Sequence, residues 1–250
     1  MSFLTAVFIL IVAFFTSAVS GVFGMAGGLM LMGALALVLP VSAAFVAHGL
    51  IQLTANGWRA ILHRKHVQWR IVGLFAIASF AAGALVSLLA FTPSKPFLFL
   101  ALGLVPGILW LPKHWVRLDA AKPAHALTCG FIVTALNLLA GVAGPLLDIF
   151  FVRTSLTRHQ IVSTKAATQV FSHLAKVIVY GGPLIAGGKV PPGFFWPLLA
   201  SVPLSMLGTV VGGRILDRMT DTHFLAWTRW IVTSIGAVYL IQFAGLMMHR

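Results

Sequence analysis

Two short glycine-containing segments of this 250-residue chain have the same pattern. GMAGGLM occupies positions 24–30 and GVAGPLL occupies positions 141–147, an offset of 117. Polar residues that follow the first segment meet polar residues after the second at this same offset, which is hard to obtain by chance in an apolar background. The pairs are His48 with Lys165, Gln52 with Gln169, Asn56 with His173 and Arg59 with Lys176. The chain is therefore interpreted as two related halves, each with a broken hydrophobic segment followed by a helix that bears a polar stripe.

The composition excludes a water-soluble globule. Hydrophobic residues make up 60% of the chain and charged residues 8%, whereas soluble domains carry roughly a quarter charged residues. We predict an all-α integral membrane protein with about 8 to 10 hydrophobic helical segments. They form a single transmembrane domain, residues 1–250, with repeat 1 at about 1–112 and repeat 2 at about 124–250. The apolar blocks are 3–20, 28–39, 43–62, 71–91, 96–112, 125–140, 144–152, 160–181, 194–213 and 224–247.

The blocks 28–39 and 144–152 are too short to cross a bilayer, because a crossing helix needs about 20 residues. Both directly follow a glycine motif, so we predict half-helices or re-entrant segments. Their first N–H groups and positive dipole ends would point into a cavity. Pro145 suits the start of such a helix, since the first turn needs no donor from it. Close helix packing is an alternative role for the glycines.

The distribution of Lys and Arg predicts the topology. With loop 63–70 placed in the cytoplasm, eleven basic residues fall on that side or at its edge and three on the other. Both termini then face outward, and the two polar-striped helices run in opposite directions. The halves are inverted repeats in this topology, a design that places substrate near the bilayer midplane and supports alternating access. The net charge of +13 is assigned to loops beside anionic lipid rather than to nucleic-acid binding.

The polar residues of each stripe share one helix face, because steps of four, four and three positions return to the same side. The two Gln are predicted to meet centrally, with His48 and Lys165 at opposite mouths. A Lys in an apolar helix costs about 2.5 to 3.5 kcal/mol, so Lys165 should reach the cytoplasmic interface, Asp148 or an anion. Lys176 is interpreted as extending to the outer interface and Arg59 to the inner one. The predicted substrate-binding residues are Gln52, Gln169, Lys165, His48, Gly24, Gly27, Gly28, Gly141, Gly144, Asn56 and His173.

The sequence argues against an enzyme. It contains no His-x-x-x-His zinc pair, no acidic dyad and no nucleophile placed beside a base. We therefore expect no metal and no cofactor, and we expect the single cysteine, Cys129, to be an inert buried thiol. The competing hypotheses are an intramembrane enzyme that acts on a lipid, an uncoupled anion channel and a structural membrane subunit. The unperturbed pKa of a histidine side chain lies near physiological pH, so His48 is the candidate for coupling transport to protons.

Several of these motifs together carry a resemblance to a known family. They are SGVFGMAGG at 20–28, its second copy at mid-chain, TKAAT at 164–168 and GTVVGGR at 208–214. Across essentially its whole length the chain resembles the sulfite exporter TauE/SafE family, also called TSUP. The resemblance implies a permease of the bacterial cytoplasmic membrane for small sulfur-containing or organic oxyanions such as sulfite, thiosulfate or sulfonates. Its partners would be that anion, membrane lipids and, as a coupling ion, protons. The second break departs from the family pattern at Pro145, where a glycine is expected.

Overall fold

The computed structural model describes residues 1–111, 118–151, 154–218 and 221–248. Within these ranges the chain forms ten α-helices and no strand, which confirms the predicted all-α class. Lys113, Arg117, Arg153 and Arg250, which contributed to the predicted topology, lie outside the described residues, as do the block ends at 112 and 152. The helices are α1 Phe3–Phe23, α2 Met25–Val38, α3 Val41–Leu62, α4 Trp69–Leu89, α5 Lys95–Leu104, α6 Pro123–Ala140, α7 Gly144–Phe151, α8 Arg158–Ala186, α9 Phe195–Leu216 and α10 Asp221–Met248; a 3₁₀ turn, Val105–Trp110, extends α5.

Five of the described helices are long and apolar enough to cross a membrane: α1, α4, α6, α9 and the part of α10 from Arg229 onward. Helices α3 and α8 have 22 and 29 residues but carry the polar stripes, which lower their hydropathy. Large apolar side chains cover much of the outer surface, among them Phe3 and Leu88, which are more than four-fifths exposed. A multi-pass membrane protein presents such a surface to lipid, and its polar groups then belong inside the helix bundle.

Each glycine motif breaks the chain at one glycine with a positive φ. Gly24 separates α1 from α2 with φ 64°, and Gly141 ends α6 with φ 84°. Residues other than glycine are strained at such positive φ values. Helix α2 has 14 residues and α7 has 8, so neither is long enough to span a bilayer. Helix α2 begins three residues earlier than the predicted block at 28, because Gly27 and Gly28 are helical. Pro145 lies in the first turn of α7, as predicted.

The two polar-striped helices pack against each other in opposite directions. Gly49 on α3 lies against Val177 on α8, and Gly57 lies against Val170, so position numbers rise along one helix as they fall along the other. Asn56 also donates a hydrogen bond to Gln169. Helices α5 and α10 are antiparallel too, as Phe99 with Tyr239 and Trp110 with Trp230 show. These two pairs of corresponding helices therefore meet head to tail.

The outer helices exchange partners between the halves. Helix α1 packs along α9, where Gly21 meets Gly212 backbone to backbone. Its counterpart α6 packs along α4, where Ser79 Oγ and Thr134 Oγ1 are 2.8 Å apart. This exchange, with the antiparallel α3–α8 pair, is the pattern expected when a two-fold axis perpendicular to the helices relates the halves. The division into repeats at about 1–112 and 124–250 stays a prediction.

Candidate functional site

A cavity lies where the two broken segments meet the polar-striped helices. It contains about 390 Å³ of empty space, its opening included, and no carboxylate belongs to its described lining. Both halves contribute to its wall, so the cavity lies between them. The polar lining residues are Ser20, His48, Gln52, Asn137, Gln169, Ser172 and His173; the others are Gly24, Gly28, Val133, Val142, Ala143, Gly144 and Leu147.

Asn56 joins the two glutamines at the centre of the α3–α8 pair. Its Nδ2 donates to Oε1 of Gln52 and to Oε1 of Gln169, both at 3.3 Å. Because both Oε1 atoms accept from Asn56, the Nε2 groups of the two glutamines remain available as donors. Neither Nε2 has a hydrogen-bond partner in the described part of the chain, and both side chains line the cavity. The cavity wall therefore carries two unused amide donors.

Lys176 is fully buried behind one end of the cavity. Its Nζ donates to Asn137 Oδ1 at 2.7 Å, to the Gly141 carbonyl at 2.5 Å and to His48 Nδ1 at 3.2 Å. The ring of Phe45 lies 5.1 Å from the ammonium. None of these groups carries a negative charge, so in the described structure this cation has no carboxylate partner. The interpretation that Lys176 extends to the outer interface is wrong, because the neutral acceptors of α6 and α3 hold its ammonium inside.

His48 links this end to the first glycine motif. Its Nε2 lies 3.1 Å from the carbonyl of Gly28 and its Nδ1 faces Lys176. A carbonyl only accepts, so Nε2 carries the proton and donates, while Nδ1 accepts from the ammonium. The edge of the ring meets His173, with centroids 5.4 Å apart. Nδ1 of His173 is buried without a hydrogen-bond partner.

The opposite end of the pair holds Arg59 and Lys165. Arg59 is 8% exposed, and its Nη2 donates to Ser20 Oγ at 3.4 Å. It does not extend to the inner interface, because its side chain turns back toward α1, and that interpretation is corrected. Lys165 forms an ion pair with Asp148 on α7, one of the three predicted alternatives. These two side chains are 21% and 24% exposed, so this end is more accessible than the end at Lys176.

The glycines of the first motif have different roles. A Cβ on Gly27 would overlap the Thr16 carbonyl and Ser20, so Gly27 allows close packing of α2 on α1. A Cβ on Gly28 would lie 2.7 Å from Gln52 Nε2, and Gly28 itself lines the cavity. The packing alternative therefore describes Gly27, whereas Gly28 belongs to the cavity wall.

Seven of the eleven predicted site residues line the cavity: Gln52, Gln169, His48, Gly24, Gly28, Gly144 and His173. The other four do not. Asn56 bridges the glutamines, Lys165 pairs with Asp148, Gly27 packs against α1, and Gly141 offers its carbonyl to Lys176.

Sequence reasoning missed Ser20, Asn137, Ser172 and the role of Lys176 at this site. Ser20 and Asn137 are themselves 117 positions apart, and each accepts a hydrogen bond from the basic residue of its own half. The repeat offset therefore contained the signal for this pair. Nothing in the repeat singles out Ser172, whose hydroxyl accepts from Asn137 Nδ2 at 2.7 Å.

Comparison with known proteins is consistent with this architecture. Residues 9–240 match the family described as "Sulfite exporter TauE/SafE". Neither the curated proteins nor the solved structures gave a match. The family comprises membrane transporters rather than enzymes. Membership of this transporter family implies a small anion as substrate. Because the match covers nearly the whole sequence, the chain belongs to the sulfite exporter TauE/SafE family.

Proposed function

We propose that this protein is a permease of the bacterial cytoplasmic membrane that moves sulfite, thiosulfate or a related small sulfur-containing or organic oxyanion. Family membership supports an exporter or permease for an anion. The observation that carries the choice of site is a cavity lined by both halves that contains unused amide donors and no described carboxylate. Such a wall favours a ligand that only accepts hydrogen bonds and carries negative charge.

The electrostatics of the surroundings support the same site. Lys176 lies directly behind the wall without a carboxylate partner, and His173 Nδ1 lacks a hydrogen bond although it is buried. Buried polar groups are normally satisfied, so groups left unpaired in a cavity wall are suited to bind a polar ligand. Bound there, an oxyanion accepts from Gln52 Nε2 and Gln169 Nε2 and offsets the buried positive charge of Lys176.

Alternating access fits the arrangement of the halves. The cavity lies on the α3–α8 pair, where the halves meet head to tail, and the outer helices of each half pack on those of the other. Movement of one half against the other would open the cavity first to one side of the membrane and then to the other. In the proposed orientation loop 63–70 is cytoplasmic and both termini face outward.

Proton coupling through His48 has a structural condition. His48 Nδ1 already accepts from Lys176, so a proton can bind there only when the ammonium withdraws or gives up a proton. In the proposed cycle, a doubly protonated His48 and a protonated Lys176 therefore do not occur together while these two side chains are in contact. The anion, whose charge stabilises the second proton, would link proton binding to substrate binding.

Binding measurements on purified full-length protein test the site. We expect sulfite to bind wild type and to bind Gln52→Leu and Gln169→Leu about 10- to 100-fold more weakly each, because one hydrogen bond to a charged ligand contributes about 1.5 to 3 kcal/mol. Gln242→Leu, an exposed residue on α10, is the matched control. Unchanged sulfite and thiosulfate binding in both variants would refute the site.

Flux in proteoliposomes separates the competing functions. A permease gives saturable flux and accelerated exchange when anion is present on both sides, whereas an uncoupled channel gives no accelerated exchange. A lipid-directed enzyme would alter a lipid without any gradient, and a structural subunit would bind no anion saturably. The proposal requires sulfite or thiosulfate to be recovered chemically intact.

A further inference from the structure

The two ends of the α3–α8 pair are equivalent in position but not in chemistry. At one end His48 contacts Lys176. The offset of 117 makes Lys165 the counterpart of His48 and Arg59 the counterpart of Lys176. The same contact at the other end would therefore place an ammonium against a guanidinium. Two cations repel each other, whereas a neutral imidazole accepts a hydrogen bond from an ammonium.

Arg59 and Lys165 do lie at the same level of the helix pair. One turn toward the centre, Asn56 is hydrogen-bonded to Gln169. Beside them, Ala60 and Ala166 belong to one apolar cluster. The charge of Arg59 acts on Lys165, yet the two side chains share no hydrogen bond in the described structure. Lys165 turns to Asp148 instead.

Arg59 is left with most of its hydrogen-bonding capacity unused. A guanidinium has five N–H donors, and in the described part of the chain Arg59 uses one, to Ser20 Oγ. The side chain is more than nine-tenths buried and has no described carboxylate partner. A buried cation in this condition is costly unless a negative group is supplied. Asp148 supplies one for Lys165 only.

We propose that Arg59 and Lys165 form a second anion site at the mouth of the transport pathway. When no anion is bound, the Asp148 carboxylate pairs with Lys165 in its place. The inference rests on the proposed function in one respect, that the substrate is an anion. An arriving oxyanion displaces the Asp148 carboxylate from the Lys165 ammonium and accepts hydrogen bonds from both Lys165 and Arg59. The partly exposed Lys165–Asp148 pair is open to this exchange.

Competition between Asp148 and the anion gives a result that an ordinary structural ion pair does not. Removal of the carboxylate leaves Lys165 free for the anion, so Asp148→Asn should bind sulfite about 10-fold more tightly than wild type. Lys165→Gln and Arg59→Gln should each bind sulfite at least about 10-fold more weakly. Asp148→Asn combined with Lys165→Gln should show no gain over Lys165→Gln alone, because the cation that profits is absent.

Isothermal titration of sulfite into the full-length protein in lipid nanodiscs measures these affinities. Lys189→Gln is the control, since Lys189 is an exposed cation in the loop between α8 and α9. If Arg59→Gln does not fold, Arg59→Lys retains the charge and should bind sulfite within a few-fold of wild type. An Asp148→Asn variant that folds and binds sulfite as wild type does, or more weakly, overturns the second site. Absence of sulfite and thiosulfate binding to wild type would instead contradict the proposed function.

Discussion

The two ends of the α3–α8 pair show how one architecture produces two electrostatic environments. At the His48 end, Lys176 is fully buried, and its described hydrogen bonds all go to neutral acceptors, on α3, on α6 and at the Gly141 break. At the Arg59 end, Lys165 has a carboxylate and partial exposure. The difference follows from two positions of the repeat: His48 in one half corresponds to Lys165 in the other, and Leu31 corresponds to Asp148. A neutral imidazole can pack against a cation, and a second cation cannot.

The residue four positions before the glycine of each break reinforces the contrast. Asn137 offers an oxygen to Lys176 and an amide to Ser172, so it ties α6 firmly to α8. Its counterpart Ser20 donates its hydroxyl to the Gly24 carbonyl at 2.7 Å and accepts only a long bond from Arg59. The second break is thus held by a stronger polar network than the first.

The largest expected effect comes from removal of the buried cation. Lys176→Met should abolish measurable sulfite binding, because the cavity loses the positive charge behind its wall. The free energy of unfolding should fall by about 1 to 3 kcal/mol, since Asn137 Oδ1, the Gly141 carbonyl and His48 Nδ1 lose their donor. Titration calorimetry and thermal unfolding measure the two quantities. Lys189→Met serves as the exposed control; sulfite binding that survives in Lys176→Met would remove this lysine from the site.

A smaller effect should separate two adjacent glycines at the His48 end. Gly27→Ala places a methyl group against backbone and should destabilise the protein by about 1 to 3 kcal/mol. The added methyl group of Gly28→Ala would overlap only the flexible end of Gln52, with His48 Nε2 at an ordinary contact distance of 3.8 Å, so it should weaken sulfite binding with little loss of stability. Parallel thermal unfolding and sulfite titration compare them. Equal losses of stability in both variants would contradict the assignment of packing to Gly27 and cavity wall to Gly28.

The smallest effect concerns pH at the Arg59 end, where His63 follows α3. Burial, then the positive charge of Arg59 and the neighbouring His159 and His66, lowers the pKa of His63 below 6.5, with Asp217 opposing. The unfolded chain therefore binds this proton more readily, so stability falls as pH drops through about 6.5. His63→Gln should show a slightly shallower loss of Tm between pH 7.5 and 5.5. A steeper loss in the variant would reverse the sign of this argument.

Much of the fold could be predicted from the repeated motif and the distribution of apolar residues. The short helices α2 and α7 follow from the length of the apolar blocks, and the chain breaks at Gly24 and Gly141 because glycine tolerates positive φ. The polar stripes follow from the helical period alone. Helix starts were less well predicted: α2 begins at Met25, because Gly27 and Gly28 can be helical where packing rewards their small size.

The site was predicted less completely, and Lys176 shows why. A long cationic side chain in a membrane helix can reach an interface or turn inward, and its own sequence neighbours do not decide between these outcomes. The acceptors that hold it come from α6, from the Gly141 break and from α3. Asn137 is 39 positions away and His48 is 128. Only the packing of the helices brings them together.

The sequence by itself determined the class of protein, the two glycine breaks and the two polar stripes, because these depend on composition, helical period and backbone sterics. The tertiary structure decided which polar residues line the cavity, which cation is buried and which is paired with Asp148. These choices depend on the antiparallel packing of α3 and α8, and on whether the group that this packing places opposite each cation is a neutral acceptor or a second cation.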